Sequence, residues 1–205
     1  MAYNVPTVDT TDISFGPGVV YMDTYAAIQG PTGTGADPTT QVGSITEDGV
    51  TFEFQRESKA ISQGNPRVPI MYFDQANNMS VTFTKIEWNL ERLIFLLGSG
   101  TVSGSSAAPP VTMKWGGDPV LTEMAILIKH QSAMLESDTT YAANSYINIR
   151  VWKAVPTENL SIQMAQDEHQ FAASFMALRV DSEWDAGVTL SSGQQLCKVT
   201  WGAAS

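Results

Sequence analysis

One stretch of the sequence, residues 45–61, constrains the fold more than any other. It reads ITEDGVTFEFQRESKAI, and apolar and polar residues alternate after Glu47-Asp48-Gly49. The apolar side chains are Val50, Phe52 and Phe54, and the polar ones are Thr51, Glu53 and Gln55. Such alternation is typical of a β-strand with one face against a core. The acidic pair followed by glycine predicts a tight turn or bulge before the strand.

Residues 79–86 alternate in the same way, with Met79, Val81 and Phe83 opposite Ser80, Thr82 and Thr84. A turn is predicted at 74–78, between this run and an apolar strand at 68–73, and a polar segment is predicted at 58–67. Further strands are predicted at 19–22, 42–45, 111–115, 121–130, 145–153, 158–166, 170–180 and 195–201, with a hairpin tip at 166–169. The chain is therefore predicted to be mainly β.

One helix is predicted, over about residues 86–97. Thr84 and Glu87 match a capping box, and Gly98 supplies a stop signal. Its predicted packing residues are Trp88, Leu90, Leu93, Ile94 and Leu97. Together these patterns predict an antiparallel β-sandwich or half-barrel with one flanking α-helix.

The 205 residues are predicted to form a single domain. Residues 1–16 have the polar composition of an N-terminal arm, and the Gly-, Pro-, Ser- and Thr-rich stretches 26–41 and 98–110 are predicted to be flexible loops. Neither side of 98–110 alone contains enough predicted strands to close a core, so this stretch is not interpreted as a domain boundary.

Charge argues against nucleic-acid and anionic-membrane binding. The chain has 21 acidic and 11 basic residues, for a formal net charge of −10, whereas phosphate affinity depends on Lys and Arg. Its one cysteine, Cys197, forms no intrachain disulfide and is predicted to be a small core residue. The N-terminus matches no signal peptide, and no apolar run reaches bilayer length, so we expect a soluble protein made in a cytoplasm.

A search for catalytic motifs finds none that predicts an enzyme. The only local cluster of ligating residues, Asp167-Glu168-His169, occupies the predicted hairpin tip, where adjacent side chains point in different directions. GPTGTGAD at 30–37 lacks the Gly-Lys-Ser/Thr end of a phosphate loop. No catalytic, cofactor-binding or metal site is therefore predicted.

Three segments carry a resemblance to a known family. VGSITEDGVTFEFQRE (42–57), MSVTFTKIEWNLERLIFLLGSG (79–100) and NLSIQMAQDEHQFAASFMALRV (159–180), in this order and spacing, resemble the tail tube (major tail) proteins of long-tailed bacteriophages. That family is related in fold to the tubes of contractile tails and of type VI secretion.

The resemblance implies a structural virion protein without catalysis or cofactor. Subunits would form six-membered rings that stack into a hollow conduit for DNA, with tail-tip or baseplate, tape-measure and terminator proteins as partners. DNA would pass without specific binding, and no membrane anchor is expected. The implied lumen-lining residues are Thr51, Glu53, Gln55, Ser80, Thr82 and Thr84. The implied inter-subunit charge pairs involve Arg56, Glu57, Lys85 and Glu87.

Two other interpretations stay open at the level of sequence. One is a different phage structural β-protein, such as a decoration or tail-terminator subunit. The other is a carbohydrate-binding β-sandwich that uses some of the five tryptophans. The register of the 50–55 strand is also open, because a slip of one residue would turn Phe52 and Phe54 toward the lumen.

Overall fold

The computed structural model describes residues 18–29, 35–64, 67–105, 108–117, 121–131, 146–157, 170–184, 188–191 and 193–202. Within them lie the strands β1 (Val19–Thr24), β2 (Ile45–Gln63), β3 (Val68–Lys85), β4 (Thr101–Ser105), β5 (Ala108–Lys114), β6 (Met124–Gln131), β7 (Tyr146–Pro156), β8 (Phe171–Ala177) and β9 (Cys197–Gly202), and the helices α1 (Tyr25–Gln29) and α2 (Leu90–Leu97).

The main sheet has seven strands and branches at β7. Its order is β1-β6-β7-β8-β3-β2, and all its neighbours are antiparallel. Strand β9 pairs with the first part of β7, Tyr146–Val151, whereas β8 pairs with its last part, Ala154–Pro156. Because two strands share one side of β7, the sheet divides there into two arms that can face each other.

Residues 41–45 link the two ends of this curved sheet. The Val42 amide donates to the Val20 carbonyl at 2.9 Å on β1, and the Ile86 amide, just beyond β3, donates to the Ser44 carbonyl at 3.1 Å. These bonds hold the sheet in a half-barrel whose inner face carries the main core. The predicted fold class, an antiparallel half-barrel or sandwich with a flanking helix, is confirmed.

Two apolar clusters cover opposite faces of the central strands. The larger lies inside the half-barrel, where the rings of Phe83 and Phe175 stack with centroids 6.0 Å apart. The smaller lies behind β6 and β7, where Trp152 and Trp184 meet edge to face at 5.0 Å. Because β6 and β7 are covered on both faces, they are the most enclosed part of the sheet.

Helix α2 is shorter than predicted. It begins at Leu90 because Asn89 is its N-cap, whose Oδ1 accepts from the Arg92 amide at 3.2 Å. The predicted capping box of Thr84 and Glu87 was wrong, since β3 continues through Lys85. Gly98 ends the helix in the left-handed conformation, as predicted.

The predicted packing surface of this helix is only partly correct. Leu93 is buried, as is Leu96, while Leu90 and Leu97 pack partly against the main core and Ile94 is half-buried. Trp88 precedes the helix and is 48% exposed, with its ring 5.2 Å from that of Phe171. Its assignment to the helix core was therefore wrong.

Three predicted irregular segments are strand. Residues 58–63 continue β2, and 74–78 continue β3, so the predicted polar segment and turn were wrong there. Most of 98–110 lies in a small hairpin of β4 and β5 rather than in a flexible loop. Hydrogen bonding to a neighbouring strand overrides the weak β-propensity of these residues. The 1–16 arm, the 158–166 strand and the 166–169 tip lie outside the described residues.

Glu47-Asp48-Gly49 forms an interruption in the β2–β3 pairing, as predicted. Ile45 lies opposite Lys85, but Val50 already lies opposite Phe83, so β2 gains extra residues between these pairs. Gly49 has φ of 73°, which favours glycine. The bulge separates Ile45, at the start of β2, from the longer part of β2 that pairs with β3 from Val50 onward.

Candidate functional site

The β2–β3 hairpin extends beyond the rest of the sheet. Strand β3 pairs with β8 only along Ser80–Lys85, whereas its pairing with β2 continues out to Val68 opposite Gln63. The nine β2 residues from Gln55 to Gln63 correspond to a two-stranded ribbon roughly 30 Å long at strand rise. Isolated two-stranded ribbons are marginally stable in water, so this projection is incomplete as a structure of its own.

Exposed apolar side chains concentrate on this hairpin. Of the thirteen large hydrophobic residues found exposed in the described part of the chain, eight belong to β2 or β3. They are Phe52, Phe54, Ile61, Val68, Ile70, Met71, Tyr72 and Phe73. Apolar surface gathered in one place, rather than scattered singly, marks an interaction surface.

Burial changes abruptly between the two strands. Phe52 is 41% exposed, although the residue opposite it on β3, Val81, is 1% exposed. One pair further out, Phe54 is 58% exposed and faces Met79, which is fully buried. Directly opposed residues share a face of the sheet. The apolar face of the half-barrel therefore continues onto β2 but is left uncovered there.

The six predicted lumen-lining residues lie together on the other face. The register places Thr51 opposite Thr82 and Glu53 opposite Ser80, with Gln55 and Thr84 at the ends of the same two rows. The β2 members are exposed and the β3 members are half-buried. Of the two registers that the sequence left open, the strands adopt the one that places these six residues on the face opposite the core, where Val81 and Phe83 lie.

The four predicted charge-pair residues lie in two places, Arg56 and Glu57 on the ribbon and Lys85 and Glu87 at the end of β3. Arg56 and Glu57 are exposed on the projecting ribbon, opposite Asn77 and Ala76. Glu87 is exposed and its Oε2 accepts from the Ser44 amide at 3.2 Å. Lys85 is fully buried at the end of β3, so within this chain it does not present its charge at a surface. Pairing across a subunit boundary stays a prediction for all four.

Lys85 is the most unusual titratable group in the described residues. Its Nζ has no hydrogen-bond partner among them. Burial lowers the pKa of Lys85 to about 8, with Glu87 opposing this and Arg92 adding to it. A charged ammonium without a partner is costly in a core. Gly43 makes room for it, since a Cβ there would come within 3.0 Å of Lys85 Cε.

Sequence reasoning missed an ion pair that fixes the 35–41 loop. Arg150 on β7 donates to both carboxylate oxygens of Asp37, at 2.7 and 2.8 Å, and the indole of Trp184 donates to one of them at 3.2 Å. Partial burial of Asp37 favours its neutral form, but the bonds and charge of Arg150, with Trp184, lower its pKa overall. Asp37 and Arg150 are 113 residues apart, so no local pattern could have paired them.

A cavity of about 300 Å³ opens beside Phe52. Its walls are apolar, from Val50, Ile128 and Ile149, and its rim carries Glu47, Asp48 and His130. Across the described ranges, no group of three or more His, Cys, Asp or Glu side chains is arranged to hold a metal ion. The apolar walls of the cavity extend the uncovered apolar face, which Phe52 and Phe54 form, toward the bulge at 47–49.

Comparison with known proteins gives no family for this chain. No protein-family model matches the sequence, and no curated protein matches it significantly. Among the described residues no helix has the length and apolar character needed to cross a membrane. The β2–β3 hairpin and its surroundings are therefore the part of the molecule that indicates a function.

Proposed function

We propose that this chain is a structural subunit of a phage tail tube, which assembles into rings that stack around a DNA channel. The observation that carries the proposal is the β2–β3 hairpin, in which one edge of β2 pairs with no other described strand and apolar side chains are exposed at Phe52 and Phe54. A second copy of the chain that packs against the hairpin would pair this edge and bury the two aromatic rings.

The uncovered face of β2 supports assembly rather than binding of a small molecule. An edge strand with unpaired amides and carbonyls is a template for another strand. Here that edge is also apolar on the side that continues the core, so a neighbouring sheet would bury Phe52 and Phe54 while pairing the backbone. Each large aromatic buried in this way stabilises an interface by roughly 2 kcal/mol.

The polar face of the same strands supports the channel role. In a closed barrel of several copies, the face opposite the core faces the interior. Thr51, Thr82 and Ser80 would line that interior with uncharged hydroxyls, and Glu53 would add negative charge. These positions on β2 and β3 give phosphate groups no cation to bind, so a duplex would slide past them without being retained.

The outer half of the hairpin supports contact between stacked rings. The ribbon projects roughly 30 Å from the sheet and exposes Val68 and Ile70 close to its tip, with Met71, Tyr72 and Phe73 further down its length. A projection of this kind reaches beyond its own subunit. Packing it on the next ring would remove these side chains from water.

Electron microscopy of the purified, concentrated protein tests the proposal. We expect rings or stacked tubes in the wild-type protein, and their loss in Phe52→Asp, since a carboxylate in the interface is costly to desolvate. Thr112→Asp, at an exposed position on β5, is the matched control and should assemble normally. A wild-type protein that stays monomeric at every concentration, even when seeded with tail-tip proteins, would contradict the proposal.

A lysine on the channel face tests the passage of DNA. Thr82→Lys should leave rings intact but slow DNA ejection from the phage, because each added cation binds phosphate. Thr112→Lys adds the same charge away from that face and should not. Equal ejection rates for the two variants would argue against a lumen-lining position for Thr82.

A further inference from the structure

Strand β9 provides a second regular edge within the described residues. It pairs with β7 through one side only, along Cys197–Gly202. None of the described strands pairs with its other side. Its central residue, Val199, is 53% exposed although the residue opposite it, Ile149, is buried in the main core.

The edges of β9 and β2 match each other in the character of both faces. On the core face, β2 exposes Phe52 and Phe54, and β9 exposes Val199. On the opposite face, β2 carries Glu53, and β9 carries Lys198, which is half-exposed and bonds Glu183 at 2.9 Å. Placed side by side, the two strands would set apolar beside apolar and an acid beside a base.

We propose that copies of this chain join head to tail, with β2 of one copy pairing with β9, the branch strand on β7, of the next copy. The inference rests on the proposed function and specifies which two surfaces meet. Because the two edges differ, a copy whose β2 is paired still has an unpaired β9, and the reverse is also true. The assembly can therefore grow until a ring closes. Pairing of β2 with itself would instead stop at a dimer.

Site-directed crosslinking tests this pairing. In a Cys197→Ser background, one preparation carries only Gln55→Cys on β2 and another carries only Thr200→Cys on β9. Neighbouring strands lie about 5 Å apart, so a short bifunctional maleimide can join them. Thr112→Cys on β5 replaces Thr200→Cys as the control, because that strand lies in the separate hairpin sheet.

We expect a crosslinked dimer from the mixture of Gln55→Cys and Thr200→Cys, none from either alone, and a ladder of multimers when one chain carries both. Crosslinking of Gln55→Cys with itself would overturn the proposal in favour of a symmetric contact. No product above the Thr112→Cys control, in a sample where electron microscopy shows rings, would overturn this pairing while leaving the tube function standing. No product and no rings would reject both.

Discussion

Val81 and Phe52 face each other across the same pair of strands, on the same face of the same sheet, yet one is 1% and the other 41% exposed. The difference lies in their neighbours. Val81 is on β3, which is flanked by β2 and β8, whereas Phe52 is on β2, the last strand of the sheet. Among the described strands β2 has a neighbour on one side only, and Phe52 is therefore left partly uncovered.

The largest expected effect on stability comes from replacing Val81 with aspartate, compared with the same replacement at Phe52. Val81→Asp should lower the free energy of unfolding by about 4 kcal/mol or more, because an unpaired carboxylate in a core is strongly disfavoured. Phe52→Asp should change it by less than about 1 kcal/mol in the monomer. Urea denaturation of dilute protein measures both.

The two variants should also separate folding from assembly. Phe52→Asp should fold and fail to form rings, whereas Val81→Asp should fail at folding. If Phe52→Asp proved as destabilising as Val81→Asp in the monomer, β2 would be covered within one chain and the comparison would not hold.

A second contrast is between an enclosed and an exposed ion pair. Asp37→Asn should cost about 3 kcal/mol at pH 7, because it leaves the guanidinium of Arg150 buried with a weaker partner. Asp181→Asn, in the exposed pair with Arg179 at 3.4 Å, should cost less than about 0.5 kcal/mol. Thermal and urea unfolding of the two variants give the measured difference.

The pH dependence of this pair has a definite sign. The pKa of Asp37 is lowered in the folded protein, so its stabilisation is present above the ordinary carboxyl pKa and is lost as the pH falls through the lowered value. Asp37→Asn should therefore flatten the acid limb of the stability curve. An unchanged acid limb would show that other carboxylates dominate it.

Replacement of Lys85, at the buried end of β3, is a substitution that is expected to stabilise the fold. Lys85→Met should raise the free energy of unfolding by about 2 kcal/mol at pH 7, because it removes an unpaired buried cation. Lys59→Met, on the exposed ribbon of β2, should change it little. Urea denaturation of both variants tests this, and a destabilised Lys85→Met would mean that the ammonium has a favourable partner.

Lys85 should also make the stability of the folded protein depend on pH in the basic range. Its pKa is about 8 when folded against 10.5 ordinarily, so the unfolded chain binds more protons between these values. Stability of the wild-type protein should therefore rise as the pH increases from 8 to 10.5 and stay at its lower level below 8. The Lys85→Met variant should lack this rise.

The smallest expected effect tests the polar face. Glu53→Gln should change the free energy of unfolding by less than about 0.5 kcal/mol, since Glu53 is exposed on a strand edge. A larger loss, measured by urea denaturation, would place Glu53 in an enclosed environment and reverse the assignment of faces on β2.

Alternation predicted the β2–β3 faces correctly because the period of two is a property of any extended backbone. It placed Val81 and Phe83 in the core and grouped Thr51, Glu53, Ser80 and Thr82 on the other side. It failed at 58–63, which are held in strand by pairing with 68–74, and at 74–78, which are held by pairing with 55–58. Helix start signals failed at Glu87, because β3 keeps Lys85 in strand and Asn89 supplies the cap.

The sequence by itself determined the mainly β class, the alternation of faces along 50–55 and 79–84 and the stop of α2 at Gly98, because each follows from side-chain spacing or backbone freedom within a few residues. Only the tertiary structure decided that β2 and β9 are edges among the described strands, that Lys85 is buried with no hydrogen-bond partner in the described residues and that Asp37 binds Arg150. These features depend on which distant segments become neighbours, and that is set by the packing of the whole sheet.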